Sequence, residues 1–268
     1  MNELMTSLLT YVGVGCVAGV LAGLLGIGGG LVIVPMLIFV YTRQGIPNDL
    51  IMHLALGTSM ASIMFTSVSS AWAHHQRGAV EWSVVKRIVP GILLGTLSGT
   101  FIAARMSTGF LKGFFVVFLY YVATQLLLDK KPKPSHRFPG LPGMTAVGGV
   151  IGAVSSLVGI GGGTLSVPFM IWCNLPVHRA IGTSAAIGFP IAIAGALGYI
   201  INGLHVESLP AWSLGYVYLP SLAGIVCASV LTAPLGARLA HWLPVPKLKR
   251  AFAVLLLIMA TKMLMGLF

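Results

Sequence analysis

Long apolar runs separated by short polar connections set the first expectation for this chain. The runs cover residues 4–25, 30–42, 51–73, 83–104 and 108–128, and then 143–158, 163–173, 178–201, 212–235 and 250–268. Each set of five has four long runs and one short one. A helix needs about 20 apolar residues to cross a hydrocarbon core about 30 Å thick, and strand-like alternation is absent, so helices rather than a barrel are predicted. The expectation is about eight long transmembrane helices plus two short, broken or half helices.

Between the two sets the pattern breaks. Asp129, Lys130, Lys131, Pro132, Lys133, Pro134, Ser135, His136 and Arg137 are too polar and proline-rich to enter lipid. Residues 129–142 therefore read as a basic linker between a first half, 1–128, and a second half, 143–268. The halves are alike. Gly26-Ile-Gly28-Gly29-Gly30 with Pro35 returns as Gly159-Ile-Gly161-Gly162-Gly163 with Pro168, a shift of 133 positions. His53, Gly57, Thr58 and Ser59 return as His178, Gly182, Thr183 and Ser184 at a shift of 125, which Gly78 and Gly203 keep. Ala104-Arg105 with Ala237-Arg238, and Leu111-Lys112 with Leu248-Lys249, extend the likeness to the end of each half. The chain reads as a duplication.

Composition agrees with the pattern: 57% of the 268 residues are hydrophobic and 8% charged, the mean hydropathy is +0.96, and a soluble domain carries about 25% charged residues. This is the composition of an all-α integral membrane protein. The net charge of +11 does not point to nucleic acid, because the basic residues sit in the connections between apolar runs. Cys16, Cys173 and Cys227 lie within apolar runs and show no pairing pattern. Glu3 and the lack of Lys or Arg before the first run are unlike a cleaved signal peptide, so that run is expected to remain as the first transmembrane helix.

Charge bears on topology. If the short segments cross, each half makes five passages. Twelve cations (Arg77, Lys86, Arg87, Lys130, Lys131, Lys133, Arg137, Arg179, Arg238, Lys247, Lys249, Arg250) then share one side, and four (Arg43, Arg105, Lys112, Lys262) take the other. If they turn back, the cations divide eight and eight. The positive-inside rule favours the first arrangement, with both termini outside and, five being odd, the halves an inverted repeat.

A short helix of about 11 to 13 residues rises only about 17 to 20 Å, so its glycine-led end must lie within the depth of the membrane. Free amides at such an end carry partial positive charge, and glycine lets a ligand approach the main chain closely. Gly28, Gly29, Gly30, Gly161, Gly162, Gly163 and Thr164 are therefore candidate anion contacts, converging from opposite faces; tight helix packing is the competing use of these glycines. Gly91, Gly95 and Gly99, spaced four apart, fit packing better, within one chain or in a homo-oligomer. A dinucleotide fingerprint is unsupported, since Leu31 stands where its third glycine would fall.

Thr58, Ser59, Thr183 and Ser184 lie one to two turns into long apolar helices, where hydroxyls donate to an anion or bond back to a carbonyl. His53 and His178 are candidate proton or anion contacts, with an interfacial or capping role as the plainer alternative. Glu3, Asp49, Glu81, Asp129 and Glu207 fall at segment ends or in connections, so no mid-membrane carboxylate is available for a proton relay or cation site. No paired-acid, Cys/His metal or Ser/His/Asp constellation points to an enzyme, a metal or a cofactor.

The paired G-I-G-G-G-x-x-x-V-P loops, the repeated A-x-G-T-S, and the stretch from His75 to Trp82 resemble the sulfite exporter TauE/SafE family of membrane transport proteins. The resemblance covers nearly the whole chain. It implies a permease of the bacterial inner membrane for sulfur-containing anions such as sulfite, sulfoacetate or another organosulfonate. On it, the glycines and prolines of both loops and the two Thr-Ser pairs match the family's motifs. Leu31 against Thr164 and Ile33 against Ser166 make the second loop the more polar, so more hydrogen bonds to a ligand are expected from it. The function expected is a secondary transporter of a small anion working by alternating access in the lipid bilayer, coupled to a proton or another ion; a passive anion channel or a permease for another small organic anion is the alternative.

Overall fold

The computed structural model describes residues 2–25, 29–128, 137–242 and 245–266, with only the backbone element described for 2–6, 22–25, 234, 236–242 and 245–249. Gly26, Ile27, Gly28 and the first eight residues of the expected linker lie outside the described residues. The fold is all-α. Among the described residues ten helices follow in order: α1 (Asn2–Leu25), α2 (Gly30–Arg43), α3 (Asn48–Gln76), α4 (Trp82–Arg105), α5 (Thr108–Leu128), α6 (Leu141–Val158), α7 (Gly163–Trp172), α8 (Val177–Gly203), α9 (Leu219–Trp242) and α10 (Val245–Met265). Among the described residues, α3, α4, α5, α6 and α8 are long and apolar enough to cross a membrane.

Most helices begin and end within a few residues of the apolar runs. The exception is the ninth run, which was expected to be helical from residue 212. Trp212, at φ 68°, and Gly215, at φ 54°, bend the backbone into the left-handed region. The chain instead forms a small antiparallel hairpin, β1 (Ser213–Leu214) with β2 (Val217–Tyr218), before α9 starts at Leu219. Apolar composition alone does not register such a turn.

The two short helices end alike. After α2, Gly45 takes φ 73° and the Ile46 N–H donates back to the Tyr41 carbonyl; after α7, Asn174 takes φ 66° and the Leu175 N–H donates to the Met170 carbonyl. This left-handed cap satisfies carbonyls that the helix leaves open. Pro47 and Pro176 follow, and α3 and α8 start immediately after them.

Helices from before and after residues 129–142 are intertwined. Gly15 and Gly19 of α1 lie against Ile225 and Ser229 of α9, while Gly148 and Gly152 of α6 lie against Ile88 and Ile92 of α4. These glycines correspond at the 133-residue shift, yet each packs on a helix from the opposite half. Gly91, Gly95 and Gly99 complete the α4–α6 contact: a Cβ on Gly91 or Gly95 would strike the carbonyl of Thr145 or Gly149, and one on Gly99 the Ser156 hydroxyl. That glycine stripe is therefore used within the chain. At the centre α3 and α8 run antiparallel, with Gly57 beside Tyr199, Met60 beside Gly195 and Ser67 beside Gly188. Apolar side chains that remain exposed, among them Leu94, Val117, Val150 and Leu231, project outward from the helices.

Candidate functional site

Both glycine loops lead into a short helix through a residue only glycine adopts without strain. Gly29 caps α2 at φ 71° and Gly162 caps α7 at φ 76°, neither with a side-chain cap. The two tips touch. A Cβ on Gly30 would collide with the Gly159 carbonyl oxygen and lie 3.1 Å from the Ile160 Cα. The Ser59 hydroxyl donates to that same Gly159 carbonyl at 2.8 Å. Ile63 of α3 reaches both tips, standing 3.0 Å from a Cβ on Gly30 and 3.3 Å from one on Gly161. Gly188, which matches Ile63 at the 125-residue shift, lets α8 close on Gly161.

The second tip is fully described, and residues 159–163 are all buried. Its first two amides, Gly159 and Ile160, donate to the Ser155 carbonyl, and the Leu165 and Ser166 amides donate to Gly162. Among the described residues none accepts a hydrogen bond from the N–H of Gly161, Gly162, Gly163 or Thr164. Two hydroxyls there are also buried without a partner, those of Ser155 and Thr164. Four amides at a helix N-terminus and two hydroxyls form a donor-rich, acceptor-poor site, and no Lys, Arg, Asp or Glu is buried among the described residues. Its chemistry suits an anion. Sequence reasoning missed Ser155; its one available signal is its place a single turn before Gly159.

The other candidates are dispersed. Thr58 accepts the Tyr218 N–H at 3.0 Å and Thr183 accepts the Glu81 N–H at 2.9 Å, so each Thr holds the connection that enters a helix of the opposite half. The preceding glycines make room: a Cβ on Gly57 would strike the Tyr216 carbonyl, and one on Gly182 the Ala79 carbonyl. Tyr41 adds hydrogen bonds to Thr58 and Ser221. Ser184 pairs with Ser166 at 2.7 Å. That bond has no counterpart at Ser59, because Ile33 occupies the position matching Ser166.

The histidines lie away from the tips. His53 is buried, with ring nitrogens 3.0 Å from the Ala103 carbonyl and 3.3 Å from the Asp49 carbonyl, and it stacks on Tyr216. His178 is exposed at the start of α8. Each is ten residues from the tip-contacting position of its helix, about 15 Å along the axis.

Comparison with known proteins turns this geometry into a family assignment. The sequence profile of the sulfite exporter TauE/SafE family matches residues 11–263. The chain belongs to the TauE/SafE family. A probable membrane transporter protein of Haemophilus influenzae is 40% identical over 252 residues, covering 93% of this chain and 95% of that protein. The probable membrane transporter protein YunE of Bacillus subtilis is 29% identical over 78% of this chain and 83% of its own length. A probable membrane transporter protein of Methanocaldococcus jannaschii is 27% identical, with 84% of each chain covered. No solved structure matches. This TauE/SafE chain is a multi-pass membrane protein of a transporter family.

Proposed function

We propose that the chain is a secondary transporter of small sulfur-containing anions, such as sulfite, sulfoacetate or another organosulfonate, working by alternating access in the bacterial inner membrane. The observation that carries this reading is the buried second tip, where four amides and two hydroxyls have no acceptor among the described residues. Buried donors left empty are costly, and an anion satisfies them while the helix N-terminus offsets its charge. Gly29 and Gly30 of the first tip close the site from the opposite half.

The reading includes ten passages, inverted halves and both termini outside. The antiparallel contact of the matched helices α3 and α8 supports inversion, and Gln44, which accepts from the Tyr11 hydroxyl and donates to the Ser7 hydroxyl of α1, supports the return of α2 to the side from which α1 starts. The twelve-to-four division of cations then puts the Glu81 connection inside and the Tyr218 hairpin outside.

A thermal-shift screen of the purified chain against sulfite, thiosulfate, sulfoacetate, taurine and simple carboxylates tests the substrate class, since a ligand stabilises by mass action. Sulfur oxyanions are expected to raise the melting temperature. Stabilisation by cations or neutral solutes alone would remove the anion reading. In vesicles, Gly162→Val is expected to abolish transport while the protein still inserts, and counterflow of labelled anion faster than net flux separates a carrier from a channel.

A further inference from the structure

Among the described residues three helical hydroxyls are buried without a partner: Thr96 in α4, and Ser155 and Thr164 beside the second tip. Ser62, Thr100 and Ser156 each donate to a carbonyl three residues back in their own helix, and Thr232 to one four back. This is the ordinary fate of a hydroxyl in an apolar helix. The Ser155 hydroxyl is fully buried and makes no such bond. It lies 3.3 Å from the position a Cβ would take on Gly162, so it faces the left-handed residue that opens the unpaired amides. Thr164, two residues beyond Gly162, holds the other unpartnered hydroxyl of this tip.

The repeat places no equivalent pair on the first loop. The positions matching Ser155 and Thr164 are Ala22 and Leu31. One tip thus carries hydroxyls where the other carries hydrocarbon. No Lys or Arg side chain is buried among the described residues and His53 lies away from the tips, so the positive counter-charge at the second tip is that of a helix end, about half an elementary charge. Six donors around half a positive charge suit a head group with several acceptor oxygens and a single negative charge. A compact dianion leaves more charge uncompensated in a buried site.

We propose that the second tip alone binds the anion, one per chain, with the Ser155 and Thr164 hydroxyls and the amides from Gly161 to Thr164 selecting a singly charged, sulfonate-type head group over a dianion of similar shape. This rests on the transport reading above and adds the residues, the stoichiometry and the charge selectivity.

The test is calorimetric titration of the purified full chain with methanesulfonate, a monoanion, and sulfate, a dianion with a similar oxygen arrangement. One methanesulfonate per chain and at least tenfold weaker sulfate are expected. Ser155→Ala and Thr164→Val should each weaken methanesulfonate about tenfold, the loss of one hydrogen bond to a charged group. Ser156→Ala, whose hydroxyl is spent on Ala153, should bind as the unaltered chain does. Ligand-free melting curves identify any variant that fails to fold, and Ser155→Cys, close in size with a weaker donor, then replaces Ser155→Ala. Two anions per chain, or sulfate bound as tightly as methanesulfonate, would overturn the proposal. So would unchanged binding in folded Ser155→Ala and Thr164→Val; if Gly162→Val still lost binding, the transport site would stand without these hydroxyls. Unchanged binding in Gly162→Val as well would remove the site itself.

Discussion

The backbone N–H of Glu81 donates to the Thr183 hydroxyl at 2.9 Å, joining residues 102 positions apart and from opposite halves. The Tyr218 N–H repeats the arrangement on Thr58 at 3.0 Å. Each Thr sits beside a glycine that admits a carbonyl from the same connection. A Gly-Thr pair within a helix is thus a socket for one strand of irregular backbone, and the recurring motif supplies two sockets facing opposite ends of the α3–α8 pair.

Replacing Thr183 by Val should leave the Glu81 N–H without its acceptor and cost about 1–3 kcal/mol, whereas Thr183→Ser should retain most of the stability. Thermal unfolding in detergent measures this. On the alternating-access reading, Thr58→Val and Thr183→Val should bias the chain open toward opposite faces, read by the labelling of single cysteines from each side.

The Glu81 connection also carries the Arg179–Glu81 ion pair at 3.1 Å, with the side chains 47% and 32% exposed. Such a pair is screened by water and ions, so Arg179→Gln should cost under about 1 kcal/mol, an effect that fades at high salt. A loss as large as that of Thr183→Val would show that the ion pair, not the hydroxyl, holds the connection.

Gly95→Leu should prevent close packing of α4 on α6, because even a Cβ there meets the Gly149 carbonyl. The expected result is failure to accumulate as a folded protein. Gly109→Ala in α5 is the contrast, since a Cβ there meets nothing within 4 Å. It should be neutral or stabilising by about 0.4–1 kcal/mol through reduced freedom of the unfolded chain. Fluorescence-detected size exclusion separates the two outcomes.

His53→Ala should destabilise the chain, because it removes a buried ring that reaches the Ala103 carbonyl at 3.0 Å and stacks on Tyr216. His178→Ala, at an exposed helix start, should change stability by less than about 0.5 kcal/mol. Equal losses of transport in both variants, without loss of stability, would restore the histidines as a matched functional pair.

Much of this was legible in the residues. Helix positions follow from apolar run length, and the matching of the motifs follows from the two shifts. A glycine run does not say which of its members turn: Gly29, Gly159 and Gly162 are left-handed, and that follows from how each loop enters its short helix. Residue types did not reveal that Thr58 and Thr183 hold backbone instead of facing the tips, since a threonine hydroxyl serves either purpose. Nor did they reveal that His53 is buried while His178 is exposed: the two match in sequence, but Ala103 and Tyr216 cover only one.

The sequence by itself determined the class, the recurrence of the glycine and Gly-Thr-Ser motifs and the hydroxyls of the second glycine loop, because hydropathy, spacing and hydroxyl content are local properties of the chain. Only the tertiary structure decided that α1 pairs with α9 and α6 with α4, and that Gly30 meets Gly159. It alone shows that Ser155 is left without a partner among the described residues. Those relations depend on which surfaces meet after folding, and a residue's donors are spent or kept only once its neighbours are in place.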